Sequence, residues 1–208
     1  AKNSSYKAID YQIEPDLSAA CYFYAMAILL KVKSVVKGIH LNSMQGDIKF
    51  LTVLEKLGCK LADTSAGVEV DGTGIGSYQG IEIDMSDFSD QALTMAVVAA
   101  FANSKTIIKN IGHIRGQESD RVAVIATELK KLGCKTEIIE GTETDVVIEP
   151  GLLHGCEIDT YEDHRVAMSF SMAGLIIDGV IIDNPMCCRK TFENYFDVLD
   201  AICRNYLK

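Results

Sequence analysis

The chain has 208 residues, 48% of them hydrophobic, enough to bury a substantial core without disulfides or metals. With 29 acidic against 20 basic residues the formal charge is −9, which excludes nucleic acid as a default partner because phosphate backbones recruit basic surfaces. Seven cysteines, an odd number without a CxxC pair, read as reduced and mostly buried thiols.

The opening stretch "AKNSSYKAIDYQIEPD" lacks the apolar segment of a signal peptide, and no apolar run reaches membrane-spanning length, so a soluble, cytoplasmic protein is expected. From Pro15, "PDLSAACYFYAMAILL" reads as a helix that is apolar nearly all round and therefore buried. The polar turn "NSMQGD" (Asn42 to Asp47) then leads into an amphipathic helix ending in "VLEKLGCK", followed by the strand-like "GVEVDG" and the turn "DGTGIG". "FSDQALTMAVVAAF" from Phe88 repeats the buried-helix pattern, and "TIIKNI" follows as a strand. Next comes "IGHIRGQESDR" (Ile111 to Arg121). It precedes Val122, Ile125, Ala126, Leu129 and Leu132, whose spacings of three and four define one helical face that Gly133 stops. "DVVIEP" and "GVIIDN" read as strands on either side of a third buried helix, "YEDHRVAMSFSMAGL" from Tyr161. "CCRKTF" then introduces a final amphipathic helix, "TFENYFDVLDAICRNYL".

These segments recur. "VLEKLGCK" and "ELKKLGCK" lie 75 positions apart, matching Leu54 to Leu129, and the aspartates opening the buried helices, Asp16, Asp90 and Asp163, lie 74 and 73 apart. The expected architecture is α/β: three equivalent units packed around three apolar helices, at about 11–84, 85–158 and 159–208. The third lacks its two closing strands.

Charge gathers where these helices begin. Asp90 reads either as an N-cap or as a site carboxylate. In "RGQESDR", Ser119 with an acidic neighbour would suffice for capping, and the arginines Arg115 and Arg121 add the means to hold an anion. "YEDHR" places His164 and Arg165 at a helix N-terminus, where a cation opposes the helix dipole and an anionic ligand would explain it. Arg189 and Lys190 in "CCRKTF" suggest another cation-rich helix start. His40 and His154 read as structural, and the absence of metal-ligand spacing, a P-loop or a GxGxxG fingerprint predicts neither metal nor nucleotide nor other cofactor.

With "EPDLSAACYF", "NSMQGDIKFLTVLEKLG", "MSDFSDQALTMAVVAAFA", "IKNIGHIRGQESDRVAVIATELKKLG", "YEDHRVAMSFSMAGL" and "CRKTFENYFDVL", the sequence closely resembles the 5-enolpyruvylshikimate-3-phosphate (EPSP) synthases, across almost its whole length. The resemblance is to the second half of such an enzyme. It implies a single enolpyruvyl transferase-like domain over 1–208, built of βαβαββ units whose helix N-termini face a cleft, with closing strands supplied from the start of the full-length chain. It also implies transfer of the enolpyruvyl group of phosphoenolpyruvate to the 5-hydroxyl of shikimate 3-phosphate, with release of phosphate. Asp90 and Glu118 are then the candidate proton-transfer groups, their division of labour left open. Arg121, Arg165 and Lys190 are the phosphoenolpyruvate clamp, supported by His164, and His113 and Gln117 contact substrate. Gln117 stands where many members carry lysine, and His113 where others carry asparagine. The missing N-terminal domain is an implied partner, without which the fragment is expected to be inactive. Two other readings are a UDP-N-acetylglucosamine enolpyruvyl transferase relative and a non-catalytic anion-binding or folding module.

Overall fold

The computed structural model describes residues 5–141 and 144–206. The first helix, α1 (Leu17–Leu30), is capped by Asp16, whose carboxylate accepts the Ala19 N–H at 3.2 Å. Short strand β1 (Lys33–Val35) and helix α2 (Lys49–Lys56) follow, and then the hairpin of β2 (Lys60–Thr64) and β3 (Gly67–Asp71). These strands form a three-stranded sheet in the order β1-β3-β2, with both neighbours of β3 antiparallel to it.

The middle of the chain runs β4 (Glu82–Asp84), α3 (Ala92–Ala100), β5 (Thr106–Lys109), α4 (Arg121–Lys131), β6 (Lys135–Ile139) and β7 (Asp145–Glu149). Its sheet has four strands in the order β4-β5-β7-β6, with β4 and β5 parallel, as a strand–helix–strand crossover requires. The last part runs β8 (Glu157–Ile158), α5 (His164–Ser171), β9 (Ile181–Ile182) and α6 (Tyr195–Tyr206), with β8 and β9 again parallel. Among the described residues no further strand pairs with this two-stranded sheet.

Helices α1, α3 and α5 form the centre. Every residue of α3 is buried, and α3 packs against α1 on one side and α5 on the other. This is why α1 and α3 are apolar nearly all round, whereas α5 keeps an apolar core stretch but carries His164 and Arg165 at its start. Some of the polar atoms they bury pair between helices, as where Thr94 and Ser169 bring their hydroxyls within 3.3 Å between α3 and α5. Among the described residues no helix is long and apolar enough to cross a membrane.

The sequence phrase shared by "VLEKLGCK" and "ELKKLGCK" has a structural counterpart. Gly58 (φ +109°) and Gly133 (φ +105°) end α2 and α4 in the same way. In each, the next residue's N–H returns to the helix, Cys59 to the Leu54 carbonyl at 3.0 Å and Cys134 to the Leu129 carbonyl at 2.9 Å. Their surroundings differ. A Cβ at Gly133 would sit 2.3 Å from the Leu152 carbonyl oxygen, while one at Gly58 meets only the Ile75 side chain at 3.8 Å. Gly133→Ala should therefore cost more stability than Gly58→Ala, which bears mainly a conformational penalty of about 1 kcal/mol. Urea midpoints of the two variants check this, and equal midpoints would contradict it.

Candidate functional site

The starts of α3, α4 and α5 converge on one open, polar cavity of about 480 Å³ lined by Asp90, Gln117, Glu118, Arg121, His164, Arg165 and Thr191. Arg121 is the first residue of α4 and its side chain is 3% exposed. Its Nε donates to Asp163 Oδ2 at 2.8 Å, and one terminal nitrogen donates to Asp163 Oδ1 at 3.2 Å and to Glu118 Oε2 at 2.9 Å. The other reaches Asp90 Oδ1 at 3.3 Å and also the Gln117 side-chain oxygen. A guanidinium has five N–H donors, so Arg121 is fully committed.

Arg165, the second residue of α5, commits one bond among the described residues, to Asp90 Oδ2 at 2.9 Å. Its remaining donors, with Lys190, which pairs with Glu118 at the rim, make these two the cations best able to turn toward a ligand. Tyr22, buried in α1, lies near Arg165, and burial raises its phenol well above the ordinary value, so it stays neutral there.

Asp163 is wholly buried and caps α5 by accepting the Arg165 N–H at 2.9 Å, while the Ser119 hydroxyl donates to its other oxygen at 2.9 Å. Burial alone would raise its pKa, but the Arg121 hydrogen bonds and charge, with Ser119 and the Arg165 N–H, hold it below the usual carboxylate range. His164 Nδ1 lies 3.1 Å from Glu118 Oε2. Burial, aided by Arg165 and Arg121, outweighs Glu118 and Asp163 and pushes the imidazole below its ordinary value, so it favours the neutral form. Glu118, Asp163 and His164 bring potential metal-ligand atoms within 4.8 Å of one another. Both carboxylates already accept from Arg121, so the guanidinium supplies the positive charge a metal would bring.

Beside this cavity lies a second one of about 410 Å³, which shares Asp90 and Gln117 and extends to Ser18 and Asp47. Asp47 accepts from Gln91 Nε2 at 2.8 Å and from the Ser18 hydroxyl, and burial raises its pKa. Sequence reasoning missed Asp47, Gln91 and Ser18. "NSMQGD" reads in the sequence only as a polar turn, and nothing in residue spacing ties Asp47 to Gln91, 44 positions later.

Of the sequence candidates, Asp90, Gln117, Glu118, Arg121, His164 and Arg165 line one cavity, and Lys190 reaches it through Glu118. His113 lies outside the lining, with its Nε2 2.7 Å from the Ser89 hydroxyl. Two points left open by the sequence are resolved and one expectation is corrected. Asp90 makes no capping bond: it lies in a 3-10 turn (Ser89–Gln91), and its carboxylate goes to the two arginines. The cap of α4 is Asp120, whose carboxylate accepts the Ala123 N–H at 3.0 Å, which leaves Ser119 to serve Asp163. Arg189 and Lys190 end a 3-10 helix (Pro185–Lys190) and precede the first residue of α6, Tyr195, by several positions, so they mark no α-helix start. Arg115 pairs with Asp120 and Glu140, away from the cavity. His40 binds Asp63 at 2.7 Å.

The fold belongs to the enolpyruvyl transferase class. The structure superposes on an EPSP synthase from Acinetobacter baumannii with a TM-score of 0.73 at 25% identity, covering 89% of this chain and 45% of that one. It also matches the fold of the enolpyruvyl transferase NikO from Streptomyces tendae, with a TM-score of 0.66 over 90% of this chain and 42% of that one. Within that class, the family model for EPSP synthase (3-phosphoshikimate 1-carboxyvinyltransferase) matches residues 2–199, and the chain belongs to this family. A 3-phosphoshikimate 1-carboxyvinyltransferase of Nostoc punctiforme is 44% identical over 92% of this chain. A chloroplastic one of Brassica napus is 41% identical over 93%. The chain spans 44% and 38% of the length of these two relatives.

The geometry separates the arginines. Arg165→Ala should weaken binding of inorganic phosphate roughly ten- to hundredfold, the value of a charge-assisted hydrogen bond or two. Thermal stability should fall little, since Asp90 is part-exposed and keeps Arg121. Calorimetric titration with phosphate, paired with a melting curve, checks this. A large loss of stability with unchanged affinity would make Arg165 a structural residue.

Proposed function

We propose that the chain is the second half of a two-domain enzyme that moves the enolpyruvyl group of phosphoenolpyruvate onto the 5-hydroxyl of shikimate 3-phosphate and releases phosphate. In this reading residues 1–208 act as one domain, and the first half of the protein closes over the cavity and supplies the rest of both substrate sites. The observation that carries it is the convergence of three helix starts on a cavity where Asp90 and Glu118 face Arg121, Arg165 and Lys190.

The chemistry calls for that set. The substrate hydroxyl adds to C2 of phosphoenolpyruvate as a proton is delivered to its methylene, giving a tetrahedral intermediate. Loss of phosphate and of a methyl proton then restores the double bond. Asp90 and Glu118 carry the proton transfers. Arg165 and Lys190, backed by Arg121, hold the carboxylate and phosphate. His164, favouring its neutral form, supports the clamp without adding charge. Gln117 and His113 donate hydrogen bonds to substrate. Gln117 already serves Arg121, and a lysine in its place would face the guanidinium with a second positive charge.

The test is a phosphate-release assay with both substrates, run on the chain alone and after mixing with the separately produced N-terminal half. The chain alone is expected to be silent and the mixture active, with Glu118→Gln lowering kcat in the mixture by about 10²–10⁴-fold. Silence from a mixture whose halves are shown to be folded and associated would reject the proposal and favour an anion-binding module.

A further inference from the structure

Two residues in succession, Tyr161 (φ +55°) and Glu162 (φ +56°), adopt the left-handed conformation, although neither is glycine. Each such residue costs about 1–2 kcal/mol, and paired ones persist only where the surroundings impose them. They stand immediately before Asp163, His164 and Arg165, and so set the direction in which α5 enters the cavity.

The turn is tied on one side by Asp183, which accepts the Thr160 N–H at 3.0 Å, and by Asn184, which donates to Glu162 at 2.9 Å, and on the other by Glu128, a fully buried carboxylate of α4. Its Oε1 accepts the Tyr161 hydroxyl at 2.7 Å. Its Oε2 accepts the Asp159 N–H at 3.2 Å and pairs with Lys131 at 2.9 Å. Lys131 in turn reaches Asp159 at 2.8 Å. Burial and the Glu128 carboxylate push the Tyr161 phenol up to about 12, so it remains a donor at neutral pH. Seven residues earlier, on the same face of α4, Arg121 grips Asp163. Helix α4 thus holds the segment 159–163 at two points of opposite polarity: a guanidinium at the cavity and a carboxylate two turns behind it.

We propose that Glu128 and Tyr161 are positioning residues, a clasp that holds the left-handed turn and thereby aims His164 and Arg165 at the bound anion. The clasp touches no substrate. Its role toward phosphoenolpyruvate rests on the function proposed above, whereas its role in placing His164 does not.

The experiment compares Tyr161→Phe, Glu128→Gln and Glu128→Ala in the 208-residue chain. The readouts are the NMR titration of the His164 ring without ligand, assigned by His164→Gln, and the Kd for phosphoenolpyruvate. In Tyr161→Phe and Glu128→Ala the His164 midpoint should rise toward the ordinary imidazole value as the ring loses its buried setting. The Kd should rise roughly tenfold or more, as expected for a misplaced binding group. Glu128→Gln keeps one acceptor for Tyr161 but sets an amide NH2 against the Asp159 N–H and Lys131, so both readouts should move in the same direction by less than in Glu128→Ala. Should Glu128→Ala fail to fold, Tyr161→Phe, which removes a single oxygen, decides. An unchanged His164 titration in folded Tyr161→Phe overturns the clasp, and a moved titration with unchanged Kd overturns its role in binding. If the parent chain alone binds no phosphoenolpyruvate, the Kd is read in the mixture with the N-terminal half, where absence of binding counts against the proposed function, and the ligand-free titration decides the clasp.

Discussion

The pairing of Arg121 with Asp163 is the constraint on which the site depends. Both side chains are essentially out of water, and an ion buried without a partner costs several kcal/mol. Each therefore obliges the other to be present, and between them they join the first residue of α4 to the cap of α5. Around this pair the other charges find their places. Glu118 and Asp90 each take one further donor from Arg121, and Asp90 bridges to Arg165. The three helices enter the cavity at fixed positions because their first turns share one hydrogen-bonded network.

A net acidic protein that gathers its cations in one place must keep them from repelling one another. Here carboxylates do so: Asp90, Asp163 and Glu118 stand between Arg121, Arg165 and Lys190. An arriving phosphate or carboxylate does not meet bare positive charge. The saturation of Arg121 and the spare donors of Arg165 set the two guanidinium groups apart.

Much of this was legible in the sequence. The first two buried helices announced themselves by having almost no polar face, and "LGCK" marked two equivalent helix ends because both need a left-handed glycine. The gathering of charge at "RGQESDR" and "YEDHR" pointed to the cavity because a cation at a helix start opposes the dipole and calls for an acidic partner or an anion to offset it. Less legible was which partner each charge takes. Asp90 and Asp163 occupy matching places in the repeat, yet one binds two arginines at the cavity and the other caps a helix around a buried ion pair. Local spacing is the same for both, and only the tertiary approach of α4 to α5 distinguishes them. Asp47 and Gln91, brought together across the first two helical layers, left no local trace at all.

The central claim is that Arg121 and Asp163 act as one unit, and a double-mutant cycle on unfolding free energy tests it most directly. Arg121→Met and Asp163→Asn alone should each cost about 3–5 kcal/mol, because each strands a buried partner. The double variant should lose less than the sum, leaving a coupling of about 2–3 kcal/mol. Losses that add to within about 0.5 kcal/mol would show two independent residues and contradict the account.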